Sequence, residues 1–280
     1  MAQIDWIFYY TGLDMRSFDK IIISNNGSVF DEKTFSTTAL LYLIAKINMH
    51  APNATKICME TRPEYVDISE MEVVHRALKE GNPKTALEIA VGLEVFDDTI
   101  RNDVFNKGLS KDKFEHFASL VAAMGFHIKC YMMLKPVPGM SQREGIEDIH
   151  KAIDYLCGIS RECDTPVNVH INPTYVARGT ELEKAFNEYG SDGNRRYTPP
   201  TLNDLAAAVY VGAAVKPNKD FSIFVGLDDE GLAVEGGSFI REGEENLVDM
   251  FEDFNRTQNY KLIEDILLCQ STKGSLTEPA

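Results

Sequence analysis

Polar and charged side chains stand at the ends of apolar, β-branched runs in this sequence. Asn25, Asn26, Gly27 and Ser28 follow Lys20-Ile-Ile-Ile-Ser24, and Glu60, Thr61 and Arg62 close Lys56-Ile-Cys-Met-Glu60. Gly92 and Glu94 follow Ala86–Val91, Lys135 follows His127–Met133, and Asn172 follows Val167–Ile171. Carboxylates suit ribose hydroxyls and an ammonium, whereas Arg and Lys suit a carboxylate. The Gly27-Ser28 turn allows a ligand to approach the backbone closely. Together these are the groups for a zwitterionic, hydroxyl-rich ligand. Two other readings use the same residues. Glu60, Arg62, Glu94 and Lys135 can pair with one another, which would satisfy charges at the ends of apolar strands. Alternatively Glu60 and Glu94 form an acid–base pair, which requires environments that split their pKa values.

The elements that would position these groups alternate along the chain. Helical patterns are expected at Thr37–Met49, Ser69–Glu80, Asp97–Val104, Lys111–Met124, Gln142–Cys157 and Leu202–Val215. Ser69 and Glu72 fit a capping box, and Gly125 fits a left-handed C-cap. Strands separated by helices of this length imply right-handed crossovers and a parallel sheet. Five such strands, with a sixth at Phe221–Val225, fall short of the eight of a closed barrel. The expected class is therefore α/β: a partial, open βα barrel with mostly parallel strands and helices outside. A doubly wound sheet is the alternative. In either fold the site lies at the carboxyl ends of the strands, so the polar groups above are expected on one rim. Gly226-Leu-Asp-Asp-Glu-Gly231 joins Phe221–Val225 to Leu232-Ala-Val234, with Gly236-Gly237 following, and reads as a hairpin or a loop insert at the sheet edge. A closing helix is expected near Glu244–Asn255, and the segment 269–280 is expected to be disordered. The barrel then occupies 1–215, lacking a first βα unit, and 216–268 forms an extension of the same domain.

The formal net charge of −15 over 280 residues disfavours non-specific binding to nucleic acid, and there is no long Lys/Arg block. No apolar run reaches the length of a membrane span and nothing at the start reads as a signal peptide, so the expected compartment is the cytoplasm. Cys58, Cys130, Cys157, Cys163 and Cys269 are scattered without CxxC spacing, as expected of free thiols. Cys157 and Cys163 are the closest pair. They either share a metal or lie at a helix end and its following loop.

Met59-Glu-Thr-Arg-Pro-Glu-Tyr-Val66 resembles the ETRP(D/E)Y segment of radical S-adenosylmethionine proteins related to the elongator catalytic subunit. Leu87–Glu94, continuing through Phe96-Asp-Asp98 to Asn106-Lys-Gly108, is similar to their fourth-strand segment. Met132-Met-Leu-Lys-Pro-Val-Pro-Gly139 resembles the fifth-strand segment, and Asn172–Thr180 the sixth. The wording is nearest the radical S-adenosylmethionine proteins of archaeosine biosynthesis, and the likeness runs over about residues 20 to 205. The resemblance implies that Asn26, Gly27 and Ser28 fall where a glycine-rich motif receives the methionine amino group. It places Glu60 and Arg62 on a ligand-facing strand end and Glu94 against the nucleoside. Lys107 stands where many relatives carry arginine. Asn172 and His170 lie on a strand that often faces substrate, although His170 also fits a packed strand histidine. The family's chemistry is reductive cleavage of S-adenosylmethionine and hydrogen abstraction, and its relatives act on tRNA bases.

One family feature is not found. Three cysteines, usually CxxxCxxC, hold the 4Fe–4S cluster there, and this sequence has no such triplet. Met1-Ala-Gln-Ile-Asp-Trp6 resembles the helix that follows the cluster loop. A truncation, a mis-called start or a split gene is therefore expected in preference to a remodelled pseudoenzyme. The chain alone is expected not to assemble the cluster. A cluster-free binding module or scaffold is the rival function, and a metal-free barrel enzyme using Glu60 and Glu94 is a third. An uncovered first strand would leave a sheet edge prone to homodimerisation or poor solubility.

Overall fold

β-Branched and apolar residues dominate each run that becomes a strand, and the alternation of their burial fixes which side of the sheet each faces. The computed structural model describes residues 1–25, 27–215 and 219–274, with side chains described through 214 and from 219 to 269. The strands are β1 (Lys20–Ile23), β2 (Lys56–Glu60), β3 (Ala86–Glu94), β4 (His127–Leu134), β5 (Val167–Pro173) and β6 (Phe221–Val225). They lie in one sheet in the order β1-β2-β3-β4-β5-β6. β1 pairs in parallel with β2, and β2 with β3, so that Ile22, Cys58 and Glu88 stand in one register row. Every crossover steps to the next strand in sequence, with no reversal of order. This is the topology of a partial, open βα barrel and not of a doubly wound sheet, whose order turns back at a switch point.

The helices are α1 (Ala2–Tyr10), α2 (Thr37–His50), α3 (Ile68–Lys79), α4 (Lys111–Ala123), α5 (Gln142–Glu162), α6 (Glu181–Asn187), α7 (Leu202–Tyr210), α8 (Gly212–Val215), α9 (Glu245–Thr257) and α10 (Tyr260–Gly274). By its contacts the chain divides into two compact units. The first comprises Met1–Gly92, Leu109–Cys130 and Arg161–Val167. The second comprises Leu93–Gly108, Tyr131–Ser160 and the chain from Asn168 onward.

In the first unit α2 buries Leu40, Ile44 and Ile47 along one stripe, and α4 buries Phe114, Phe117, Ala118 and Val121. Ser36 and Ser110 cap them by accepting from the amides of Ala39 and Lys113. α3 starts earlier than its sequence pattern suggests. Asp67, not Ser69, is its N-cap and accepts from the Glu70 amide at 2.9 Å. Ser69 lies inside the helix, so the Ser69/Glu72 box does not form.

In the second unit α5 carries the most buried face, including Ile149, Ala152, Ile153, Leu156 and Cys157. Thr201 and Asp204 form a reciprocal capping box at the start of α7. The expected helix at 97–104 is a short π-type turn, Ile100–Val104. The expected return strand Leu232–Val234 does not form. An isolated antiparallel bridge joins Ala177 and Ala233 in its place, and Leu232 is 55% exposed. α6 and α10 have no counterpart in the sequence expectations, and α10 continues through Gly274, past the expected start of a disordered tail.

Candidate functional site

In the first unit, the loops after β1 and β2 are laced together at the carboxyl ends of their strands. The Val29 amide donates to the Glu60 carbonyl at 2.9 Å, and the Thr61 amide to the Ala90 carbonyl at 2.9 Å. The Ser28 hydroxyl is buried and hydrogen-bonds that of Thr61. The Ser28 carbonyl accepts from Thr34 Oγ1 at 2.8 Å. Ser28 therefore orders the loop with its side chain. Gly27 has no left-handed backbone, and a Cβ there would meet nothing nearer than Thr34 Cγ2 at 3.7 Å. The fold does not require glycine at this position. Asn26 lies outside the described residues.

Glu60 is half-buried at the end of β2. Arg62 is exposed and pairs with Glu64 at 2.5 Å. Deeper on the same side of the sheet, Glu88 is 1% exposed and accepts from Lys20, with Lys56 Nζ 3.4 Å away. Burial pushes the Glu88 carboxyl up, but the bond and charge of Lys20 and the charge of Lys56 outweigh it and hold the pKa below the usual value. Lys129 is buried beside Cys58, Lys20, Glu88 and Glu60, and desolvation lowers its pKa. Burial, then the Glu88 charge, push the Cys58 thiol up to about 12, so it is an inert thiol rather than a nucleophile.

In the second unit, Glu94 ends β3 in a left-handed conformation, φ 66°. Its carboxylate meets Lys107 Nζ at 2.7 Å, and both side chains are partly exposed. Non-glycine residues take this conformation only where the surroundings enforce it, and such positions cluster at ligand sites. Lys135, immediately after β4, is likewise left-handed, φ 57°. Its ammonium donates to the Thr198 carbonyl at 2.7 Å and lies 4.8 Å from the Tyr197 ring centroid. Tyr197 Oη in turn donates to the Lys135 carbonyl at 2.8 Å. Burial lowers the Lys135 pKa to about 8, with Asp204 opposing. Lys135 thus holds the loop before α7, and α5 approaches it so closely that a Cβ on Gly145 would lie 3.1 Å from Lys135 Cβ.

Asn172 sits near the end of β5 against the start of the loop after β6. A Cβ on Gly226 would fall 2.2 Å from Asn172 Oδ1 and 3.5 Å from His170 Nε2. The His170 ring packs on Tyr131 at 5.5 Å between centroids. Glu94 and Lys107 are thus brought together. The mutual pairing of Glu60, Arg62, Glu94 and Lys135 is not observed: Arg62 pairs with Glu64, Glu94 with Lys107, and Lys135 with a carbonyl. Sequence reasoning missed Arg101 and Asp148, both buried, which bracket the loop after β3. Only Arg101 carried a signal, a cation between apolar Ile100 and Val104 in the π-type turn.

A thiolate-held cluster does not fit the described residues. Cys58, Cys130 and Cys157 are buried on different elements, and among the described residues no three His, Cys, Asp or Glu side chains gather as a metal site. No helix among them is long and apolar enough to cross a membrane.

No family model matches the chain. It is 32% identical over 195 residues to archaeosine synthase subunit beta of Methanosarcina acetivorans, covering 70% of this chain and 51% of that protein. The subunit of the same name from Thermococcus kodakarensis is 32% identical over 176 residues, 63% of this chain and 49% of that protein. The chain is thus related to the archaeosine synthase beta subunits, and it spans about half the length of these relatives. Among solved structures, Streptococcus suis SuiB bound to S-adenosylmethionine aligns with a TM-score of 0.43 at 11% identity, over 75% of this chain and 51% of SuiB.

Proposed function

We propose, from its relation to the archaeosine synthase beta subunits, that this chain is a radical S-adenosylmethionine-type barrel polypeptide that binds S-adenosylmethionine and serves modification of a nucleoside in RNA. The observation that carries the proposal is the 32% identity over 195 residues to a protein of that name. The ordered motifs after β2, β3, β4 and β5 support it, because each lies at a strand's carboxyl end. The chain's own residues have suitable chemistry. In the first unit Ser28 orders the loop after β1, and Gly27, Glu60 and Arg62 offer polar groups at the ends of β1 and β2. In the second, Glu94 with Lys107 suits a ribose and Asn172 a base edge; Lys135 acts by fixing a loop. The bound cofactor supplies the radical chemistry in the family, and the protein supplies binding and orientation. The name of the relatives, subunit beta, supports a partner polypeptide, and the β1 edge is a second candidate for self-association.

Cluster-free binding of S-adenosylmethionine or a nucleoside is the second reading, favoured by the burial of three of the five cysteines on separate elements. Isothermal calorimetry with S-adenosylmethionine tests both. A saturable one-site isotherm, weakened about tenfold by Glu94→Ala, supports the cofactor assignment, and absence of binding to the folded chain sinks it. Anaerobic reconstitution then separates the two readings. A stoichiometric chromophore near ~400 nm supports redox chemistry, and binding without it supports the cluster-free module.

A further inference from the structure

We propose that Arg101 and Asp148 are positioning residues that clamp the loop after β3 and so fix Glu94 against Lys107. The proposal rests on the cofactor reading only for the claim that Glu94 faces a ligand.

The turn that follows Glu94 is held from two directions by opposite charges. Arg101 Nη1 donates to the carbonyls of Val95 at 2.9 Å and Phe96 at 3.0 Å. Its other terminal nitrogen pairs with Asp98. From α5, the two carboxylate oxygens of Asp148 accept from the amides of Phe96 at 2.8 Å and Asp97 at 2.9 Å. Arg101 is fully buried and Asp148 nearly so, at 0% and 7% exposed. A buried guanidinium and a buried carboxylate are costly unless fully hydrogen-bonded, and here both are directed at the main chain of one short turn. That turn begins where Glu94 adopts φ 66°, a conformation that needs enforcement.

The other half of the ion pair is tied to the same arginine. The Arg101 carbonyl accepts from the Lys107 amide at 3.1 Å, and the Arg101 amide donates to the Asp97 carbonyl at 2.9 Å. The main chain of Arg101 therefore sets Lys107 while its side chain sets the turn after Glu94. The Glu94–Lys107 pair is one geometry imposed by one buried residue, and Asp148 locks it from α5.

Asp148→Asn tests this, because an amide oxygen can accept from one of the two backbone amides while its NH2 opposes the other. In the ligand-free chain, hydrogen exchange at the Phe96, Asp97 and Lys107 amides is expected to quicken about tenfold or more, with amides of α9 unchanged. Unchanged exchange at 96, 97 and 107 overturns the clamp whatever the ligand does. The second arm is a double-mutant cycle in S-adenosylmethionine affinity with Glu94→Gln. Asp148→Asn is expected to weaken binding about tenfold alone and hardly at all in the Glu94→Gln background. An equal loss in both backgrounds overturns the positioning role, since a general structural defect would not depend on Glu94. If the parent chain fails to bind, the cofactor reading falls and the exchange arm still decides the clamp. Arg101→Lys, which keeps the charge but not the fork that reaches the two carbonyls with one nitrogen and Asp98 with the other, carries the same two measurements should Asp148→Asn fail to fold.

Discussion

Replacing both Lys20 and Lys56 by methionine should destabilise the first unit in a pH-dependent way. Glu88 is 1% exposed in its side chain, whereas the lysines retain 33% and 34% exposure. The asymmetry decides which deletion matters. Glu88→Gln frees two ammonium groups that already reach water, at a cost of about 1–2 kcal/mol for the lost charge-assisted bonds. The double methionine variant strands the carboxylate, for which the range is about 3–5 kcal/mol. Lys129 remains nearby as a poorer partner, its own charge disfavoured by burial, so a loss near the lower end, about 3 kcal/mol, is expected. Against burial, Lys20 and Lys56 hold the folded Glu88 carboxyl below the ordinary glutamate range. Its stabilisation is therefore complete above the unfolded pKa and is lost as pH falls through the lowered folded value. The gap between parent and variant should be widest at pH 7 and close as pH falls below about 4. Urea denaturation followed by far-ultraviolet circular dichroism at several pH values measures it. A gap under about 1 kcal/mol at pH 7, or one that does not change with pH, would refute the view that the two lysines are what keep Glu88 ionised in the interior.

Lys135→Met should remove a rise in stability between about pH 8 and the unfolded lysine value of about 10.4. The sign follows from the lowered folded pKa, since the unfolded chain binds more protons across that window; comparison of urea midpoints with the parent isolates it from other groups. Asp67→Ala should cost about 1 kcal/mol, while Ser69→Ala should stay within about 0.5 kcal/mol, and thermal melts of the two variants check which residue caps α3. Gly226→Ala should cost about 1–3 kcal/mol, because the added carbon would overlap Asn172 Oδ1 at 2.2 Å. Crystal structures of parent and variant should show the Asn172 side chain displaced.

The strands were legible because burial of β-branched residues is written locally, so β2 and β6 end where the runs end. β3 and β4 run longer than their apolar cores, to Glu94 and Leu134, because a strand continues as long as its neighbours offer hydrogen bonds, whatever the side chain at its tip. The return strand at Leu232–Val234 failed for the converse reason. Its Gly and Asp turn signals are present, but the segment forms a single bridge, Ala233 with Ala177, and the Val234 amide donates to the Val176 carbonyl at 2.9 Å, so it pairs with the loop after β5 and not with β6. The site shows the same division. That Glu60, Glu94, Lys135 and Asn172 stand at or near strand ends is a one-dimensional property and could be read from spacing. Which of them carries a free charge toward a ligand is not, since it depends on partners from other elements. Lys135 looked like a ligand cation until Thr198 and Tyr197, distant in sequence, proved to hold it. Glu94 kept its exposure because the buried charges beside it, Arg101 and Asp148, are occupied by main-chain groups of the adjoining turn. Two carboxylates on the same strand, Glu88, which the sequence reading did not single out, and Glu94, which it did, therefore meet opposite fates. Glu88 is enclosed by lysines in the interior, and Glu94 is held at the tip with a single partly exposed partner, where a ligand can compete for it.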